Sequence, residues 1–194
     1  AQAFGNIVMK SDGNALGWGY NHNHQITAGT DSQLTPVAIA AAGTDNVALA
    51  TGGAHALMIK ADGSLVSWGY NGNGQLGNGG TTTQACCVTV GLPLAVTQID
   101  AGEVSSYALL ADGSVYAWGY NAQGQLGDGT TTRRTSPVLV SSLPPNPNYQ
   151  LGGGGTNVRT FVALLPNGSA AGSGRNDHGQ LATGDTANDV CTDW

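Results

Sequence analysis

Asp62-Gly63-Ser64-Leu65-Val66-Ser67-Trp68-Gly69-Tyr70-Asn71-Gly72-Asn73-Gly74-Gln75-Leu76-Gly77 is the stretch on which the fold turns. Its centre, Trp-Gly-Tyr-Asn, starts at Trp18, Trp68 and Trp118, at two intervals of 50 residues. A fixed period of that length marks a modular array and outranks any local propensity. The flanks recur as well. Asp12-Gly13 and Asp112-Gly113 precede their tryptophans as Asp62-Gly63 does, and Gln25-Ile26 and Gln125-Leu126 hold the place of Gln75-Leu76. A Gly/Thr tract follows at Gly77–Thr83 and again at Gly127–Thr132. A weaker fourth copy reads Asn167-Gly168, Ser173-Gly174-Arg175-Asn176 and Gly179-Gln180-Leu181, displaced by 55 residues from the third. The extra five fall in Leu143–Asn148 or in the glycines 152–155, both loop-like.

Leu57-Met58-Ile59 and Leu65-Val66-Ser67-Trp68 are short apolar runs on either side of Asp-Gly, which predicts a hairpin with a tight type I′ turn. Val88–Val90 and Pro137–Val140 read as further strands. In Val115–Tyr120 the large residues Tyr116, Trp118 and Tyr120 share one face, and Val115, Ala117 and Gly119 share the other. A strand apolar on both faces suits a sheet covered on both sides. No segment shows sustained helical periodicity, and none is an uncharged apolar run long enough to span a membrane as a helix. The fold expected is all-β: a β-propeller-type array of about four four-stranded blades in a single repeat domain over 1–194. Its units are about 4–53, 54–103, 104–158 and 159–194, forming a small closed ring or a half-ring completed by another chain. A linear solenoid fits the tight hairpins less well. Val190–Trp194 aligns with Thr135–Leu139, a strand that could complete the first blade and close the ring.

The combination Gly53-Ala54-His55-Ala56-Leu57, Asp62-Gly63, Trp68-Gly69-Tyr70-Asn71 and Gly74-Gln75-Leu76-Gly77 resembles the regulator-of-chromosome-condensation repeat. The third unit matches equally well from Ala111 to Gly129. The first departs at His22-Asn23-His24-Gln25, and the fourth has Ser173 in place of tryptophan. The double glycine of kelch repeats is not what recurs. The resemblance implies a propeller, usually of seven blades, where this chain supplies about four. It also implies nucleotide exchange on a small GTPase for members carrying a projecting wedge, which has no counterpart here. Bacterial relatives of the repeat include an inhibitor of β-lactamases, so a binding role suits the fold.

Only 18 of 194 residues are Asp, Glu, Lys or Arg, and lysine occurs only at Lys10 and Lys60. A net charge of −6 and a pI near 4.7 argue against nucleic acid as a partner, since phosphate neutralisation needs a basic face. Ala1-Gln2-Ala3 has the small-x-small pattern of a signal-peptidase site. With the scarcity of lysine and the three cysteines, it points to a secreted or cell-surface bacterial protein. Cys86 and Cys191 share one repeat position, held by Ser136 in unit three, and Cys87 replaces Pro137. Candidate disulfides are Cys191 to Cys86 or Cys87, or a strained vicinal pair. Three thiols cannot all pair within one chain, and reduced thiols in a loop remain open.

The recurrent Asp12, Asp62 and Asp112 are explained by their turn, and Glu103, the sole glutamate, makes no catalytic constellation alone. No nucleophile elbow, phosphate loop or zinc-protease motif occurs. No metal site and no cofactor are expected: His22 and His24 are two ligands at most, His55 sits at the family's own histidine position, and His178 is a turn residue. Tyr20, Tyr70, Tyr120 and Arg175 occupy one repeat position and would form a set at one end of the blades, either packed between blades or offered to a partner. Arg133-Arg134 is the lone double-basic site, and Leu143–Asn148 would be a stiff, extended contact loop. The function expected is that of a secreted, non-catalytic module binding another protein or copies of itself. The alternative is a structural subunit of an extracellular filament, pilus-like appendage or surface assembly. An enzyme on a propeller face or an exchange factor ranks below both.

Overall fold

A computed structural model describes residues 5–153, 159–187 and 189–193; Ala1-Gln2-Ala3, the signal-like pattern, lies outside them. Among the described residues, fifteen strands form four antiparallel sheets. Blade 1 has three: β1 (Gly5–Met9), β2 (Ala15–Gly19) and β3 (Gln33–Ala38). Blade 2 has β4 (Asn46–Thr51), β5 (His55–Lys60), β6 (Leu65–Gly69) and β7 (Gln84–Thr89). Blade 3 has β8 (Val96–Ala101), β9 (Ser105–Leu110), β10 (Val115–Gly119) and β11 (Arg134–Leu139). Blade 4 has β12 (Gln150–Gly153), β13 (Thr160–Leu164), β14 (Ala170–Gly174) and β15 (Asp189–Asp193). One 3-10 turn, Ala40–Ala42, joins blades 1 and 2.

Each sheet is a meander in sequence order, and β4, β8 and β12 pack on one another across the seams. The sheets do not begin where the repeated motif does. β4 precedes Gly53 but pairs with β5, so the sheet of blade 2 opens at Asn46. The strand expected to close a ring does not do so. β15 pairs with β14 of its own blade, with Ala171 opposite Asp193 and Gly172 opposite Thr192, and among the described residues β1 pairs with β2 alone.

The Asp-Gly turn also differs from the type I′ expectation. Gly63 N–H donates to the Lys60 carbonyl, and Lys60 N–H donates to the Ser64 carbonyl. Among the described non-glycine residues only His24 and Ala182 have positive φ, so Asp62 does not. The turn is therefore a type I turn followed by a left-handed glycine, with Gly63 at φ 81° as a G1 bulge. The aspartate contributes through its side chain: Asp62 Oδ1 accepts the Ser64 N–H at 2.8 Å, and Asp112 repeats this with Ser114 at 2.9 Å. Those bonds, the serine side chain foremost, hold both carboxyls below the usual aspartate range.

Blade faces make the core. Ala56, Met58 and Trp68 pack toward blade 1 against Ala15, Ile39 and Ala42. Leu57, Ile59 and Leu65 pack toward blade 3 against Ala108, Leu110 and Trp118. Tyr107, Leu109, Val115 and Ala117 then meet Phe161, Ala163 and Ala171 of blade 4. The tryptophan seals the first two seams. Trp68 Nε1 donates to the Gln25 carbonyl of blade 1 at 2.9 Å, and Trp118 Nε1 to the Gln75 carbonyl of blade 2 at 2.8 Å. Gly77 is required there: its φ is 70°, and a Cβ would lie 2.8 Å from Trp118 Nε1. In blade 4 the geometry is inverted. Ser173 donates to the Gln125 carbonyl at 3.2 Å, while Tyr107, stacked on Phe161 at 4.5 Å, reaches the same carbonyl at 2.9 Å and fills the indole's space.

The asparagine that ends each Trp-Gly-Tyr-Asn motif ties the Gly/Thr tract together. Asn71 accepts from Leu76 N–H and donates to the carbonyls of Gly80 and Thr82; Asn121 does the same with Leu126, Thr130 and Thr132. Asn21, Asn71, Asn121 and Asn176 are all fully buried. The Pro-rich insert is folded rather than extended. Leu143 and Tyr149 are buried at 3% each, Tyr149 hydroxyl donates to the Pro144 carbonyl, and Asn146 N–H donates to Gly113 over the blade 3 hairpin.

Candidate functional site

β5 runs from His55 into the hairpin and β6 returns, so Tyr70 emerges beside Ala54, at the end of the blade opposite Asp62-Gly63. The backbone fixes this in every four-stranded blade. Tyr70 N–H donates to Ala54, Tyr120 N–H to Val104 and Arg175 N–H to Arg159. On this face lies a cleft of about 490 Å³ lined by Asn23, Ala54, Tyr70, Asn73, Glu103, Val104, Tyr120 and Arg159.

Its most constrained group is Arg159. Nε donates to Glu103 Oε2 at 3.2 Å, Nη1 approaches the Tyr120 hydroxyl at 3.5 Å, and the guanidinium sits 4.9 Å from the Tyr120 ring centroid. The Glu103 side chain is 13% exposed and that of Arg159 is 36% exposed. A guanidinium held on one edge by a carboxylate and on one face by an aromatic ring keeps its remaining donors aimed at the cleft. Glu103 is itself anchored, since its carbonyl accepts Gly53 N–H of blade 2 at 3.0 Å. Tyr70 lies over Gly72, and Arg133 Nη1 donates to the Gly72 carbonyl at 3.2 Å, placing that cation on the adjoining rim.

The cleft therefore joins two residues of the predicted tyrosine set with two that the sequence reading left aside. Tyr20 stacks on His22 at 4.7 Å and does not line it; Arg175 is paired with exposed Asp177 and does not line it either. Arg134 is an architectural residue, bound to Asp128 at 2.7 Å beneath the Thr130 loop. Glu103 is not the isolated carboxylate that its uniqueness suggested. Arg159 occupies the repeat position of Ala54 and Val104, and that departure from a small apolar residue is the signal that could have found it.

Cys86 and Cys87 lie in β7 and Cys191 in β15, the last strands of blades 2 and 4, with blade 3 between them. Cys86 is exposed. Cys87 is half-buried beside an apolar cleft that includes Ile26, Ile39 and Trp68, and burial pushes its thiol up to about 12. His24 approaches the Gly29 carbonyl, and His178 approaches Asp177. Among the described residues no three His, Cys, Asp or Glu converge as metal ligands. Chemically, the cleft offers aromatic faces, amides and one oriented guanidinium.

No curated protein matches the chain by sequence. Among solved structures, human WBSCR16 aligns with a TM-score of 0.80 at 22% identity, over 100% of this chain and 52% of that one. Prp20p from Saccharomyces cerevisiae, described with its binding to Gsp1p and histones, aligns with a TM-score of 0.83 at 21% identity, over 97% and 48%. Yeast RCC1 (Prp20) bound to Kap60 aligns at 0.80 and 21%, over 95% and 45%. The chain thus spans about half the length of these structures, which share its fold. Two family models described as the regulator of chromosome condensation (RCC1) repeat match it, one over 62–109 and 112–156, the other over 47–75 and 96–125. Together they run without a gap from 47 to 156, more than half of the 194 residues, and the chain belongs to the RCC1-repeat family of β-propeller-type proteins.

Proposed function

We propose that this chain is a non-catalytic recognition module that binds another protein through the cleft of Tyr70, Tyr120, Glu103 and Arg159. The observation that carries this reading is the preorganised Arg159, fixed by Glu103 and the Tyr120 ring beside half-buried Tyr70. Tyr and Arg are enriched at binding hot spots, and Arg159 is already held in place by its partners. Propeller faces display loops on a rigid scaffold, and the fold relative Prp20p (yeast RCC1) is described with its binding to Gsp1p and histones and is solved bound to Kap60. The location that goes with this reading is the bacterial cell surface or exterior, supported by the two-lysine composition and the cysteines; fractionation of the source cells tests it.

Affinity capture with the wild-type chain, compared with Tyr70→Ala, Tyr120→Ala, Arg159→Ala and the control Arg175→Ala, tests the site. The expected outcome is a captured protein lost at least tenfold in the first three and retained with the control. Equal capture by all four variants sinks the assignment of the cleft.

A further inference from the structure

The four blades are joined by three seams, two sealed by an indole on a glutamine carbonyl and the third by Ser173 and Tyr107 on the Gln125 carbonyl, and the outer faces of blades 1 and 4 carry the two unused halves of the indole design. On the blade 1 side, Val8 occupies the repeat position of Met58, Ala108 and Ala163, which are all fully buried; Val8 is 41% exposed. Trp18, the counterpart of Trp68 and Trp118, is only half-buried, and its Nε1 has no acceptor among the described residues, whereas the other two each donate to a glutamine carbonyl. On the blade 4 side, Leu164 occupies the position of Ile59 and Leu109, which are 2% and 1% exposed; Leu164 is 44% exposed. Gln180, the counterpart of Gln25, Gln75 and Gln125, is exposed where those three are buried, and no described group donates to its carbonyl. One end thus presents an indole N–H and an apolar face, and the other presents the carbonyl and apolar face that such an indole seals.

We infer that the two ends are docking surfaces for each other and that a second copy of this chain covers them, Trp18 of each copy donating to the Gln180 carbonyl of the other. This goes beyond the cleft reading and does not depend on it. The seam is heterologous, and it closes if two seams form a two-fold ring. Two copies supply two such seams. They bring eight blades, the upper end of the usual range and one more than the family's seven, so each seam would turn by roughly 45° instead of roughly 51°. The mixed chemistry of the ends also favours a copy over an unrelated protein, because the fit is to the repeat's own indole and glutamine turn.

The test is the solution mass of the 194-residue chain by light scattering and sedimentation across micromolar concentrations. The expected mass is twice 19.5 kDa. Trp18→Ala and Leu164→Asp, each checked for native circular dichroism, should each weaken dimerisation at least tenfold. Mixed together they should recover a heterodimer, since Trp18 of one then meets intact blade 4 of the other. A wild-type chain that stays monomeric overturns the inference and assigns these ends to other RCC1-type blades. A dimer indifferent to both substitutions, or one that mixing does not recover, also overturns it. Because the readout is mass, its failure leaves the partner-capture test of the cleft untouched.

Discussion

At the scale of single residues, His55 shows how a recurring position becomes a pH sensor of the fold. It is 2% exposed, and its Nε2 lies 2.9 Å from Ser106 Oγ. The serine hydroxyl hydrogen is committed to the Gln75 carbonyl at 2.8 Å, so Nε2 must carry the proton and donate. Nδ1 is left buried without a partner. Burial lowers the His55 pKa from 6.5 to about 4. The folded value lies below the unfolded one, so this group's contribution is fully present above about pH 6.5 and is lost as the pH falls toward about 4. Its size is at most on the order of 3 kcal/mol. Urea unfolding of wild type and His55→Gln at pH 7.5, 5.5 and 4 should show wild type losing stability relative to the variant over that window. A constant difference at all three would remove His55 as the cause. The histidine was legible in the sequence as a hydrogen-bonding residue. Its partner was not, because Ser106 lies 51 positions away in the next blade.

At the scale of elements, the seams argue for complementary volumes. Trp118 of β10 meets Leu57 of β5, whereas Ser173 of β14 meets Tyr107 of β9. Ser173→Trp alone should cost about 1–3 kcal/mol through overpacking, and Tyr107→Leu alone about 2–4 kcal/mol through a cavity and a lost bond. The pair, with Phe161→Ser added to reproduce the seam of blades 2 and 3, should cost at least about 1 kcal/mol less than the sum of the singles. Simple additivity in denaturant titrations would show that Tyr107 does not stand in for the indole. The hairpins and the tryptophan strands could be read from sequence because their hydrogen bonds are local and their residues recur. β4 and its counterparts could not be phased, since Asn46–Thr51 carries no motif and is assigned only by pairing with β5. Tyr70 and Tyr120 were visible as repeated residues. The Glu103–Arg159 pair was not, because each is a departure from the repeat and they meet across 56 positions.

For the molecule as a whole, stability in such an array is close to a sum of blade terms and nearest-neighbour seam terms. Blades 2 and 3 have both faces covered, while blades 1 and 4 each have one face open. Hydrogen exchange should therefore be slowest in β5, β6, β9 and β10 and faster in β2 and β14 at low concentration. Protection of β2 and β14 should rise with concentration if the ends pair. Uniform exchange across the four blades would mean that the seams do not set local stability. The surface ion pairs contribute little to this order, since most are half-exposed and worth about 0–1 kcal/mol each.

The indole-to-glutamine bond runs in one direction, from blade 2 back to blade 1 and from blade 3 back to blade 2. A 50-residue segment cut anywhere within one unit and copied in tandem brings its own donor forward and its own acceptor behind. Duplication of such a segment adds a blade without requiring any neighbour to change, and deletion removes one on the same terms. The gene can thus lengthen or shorten in whole steps while each indole-sealed junction is reproduced, and the number of blades is free to vary independently of the residues that line the cleft.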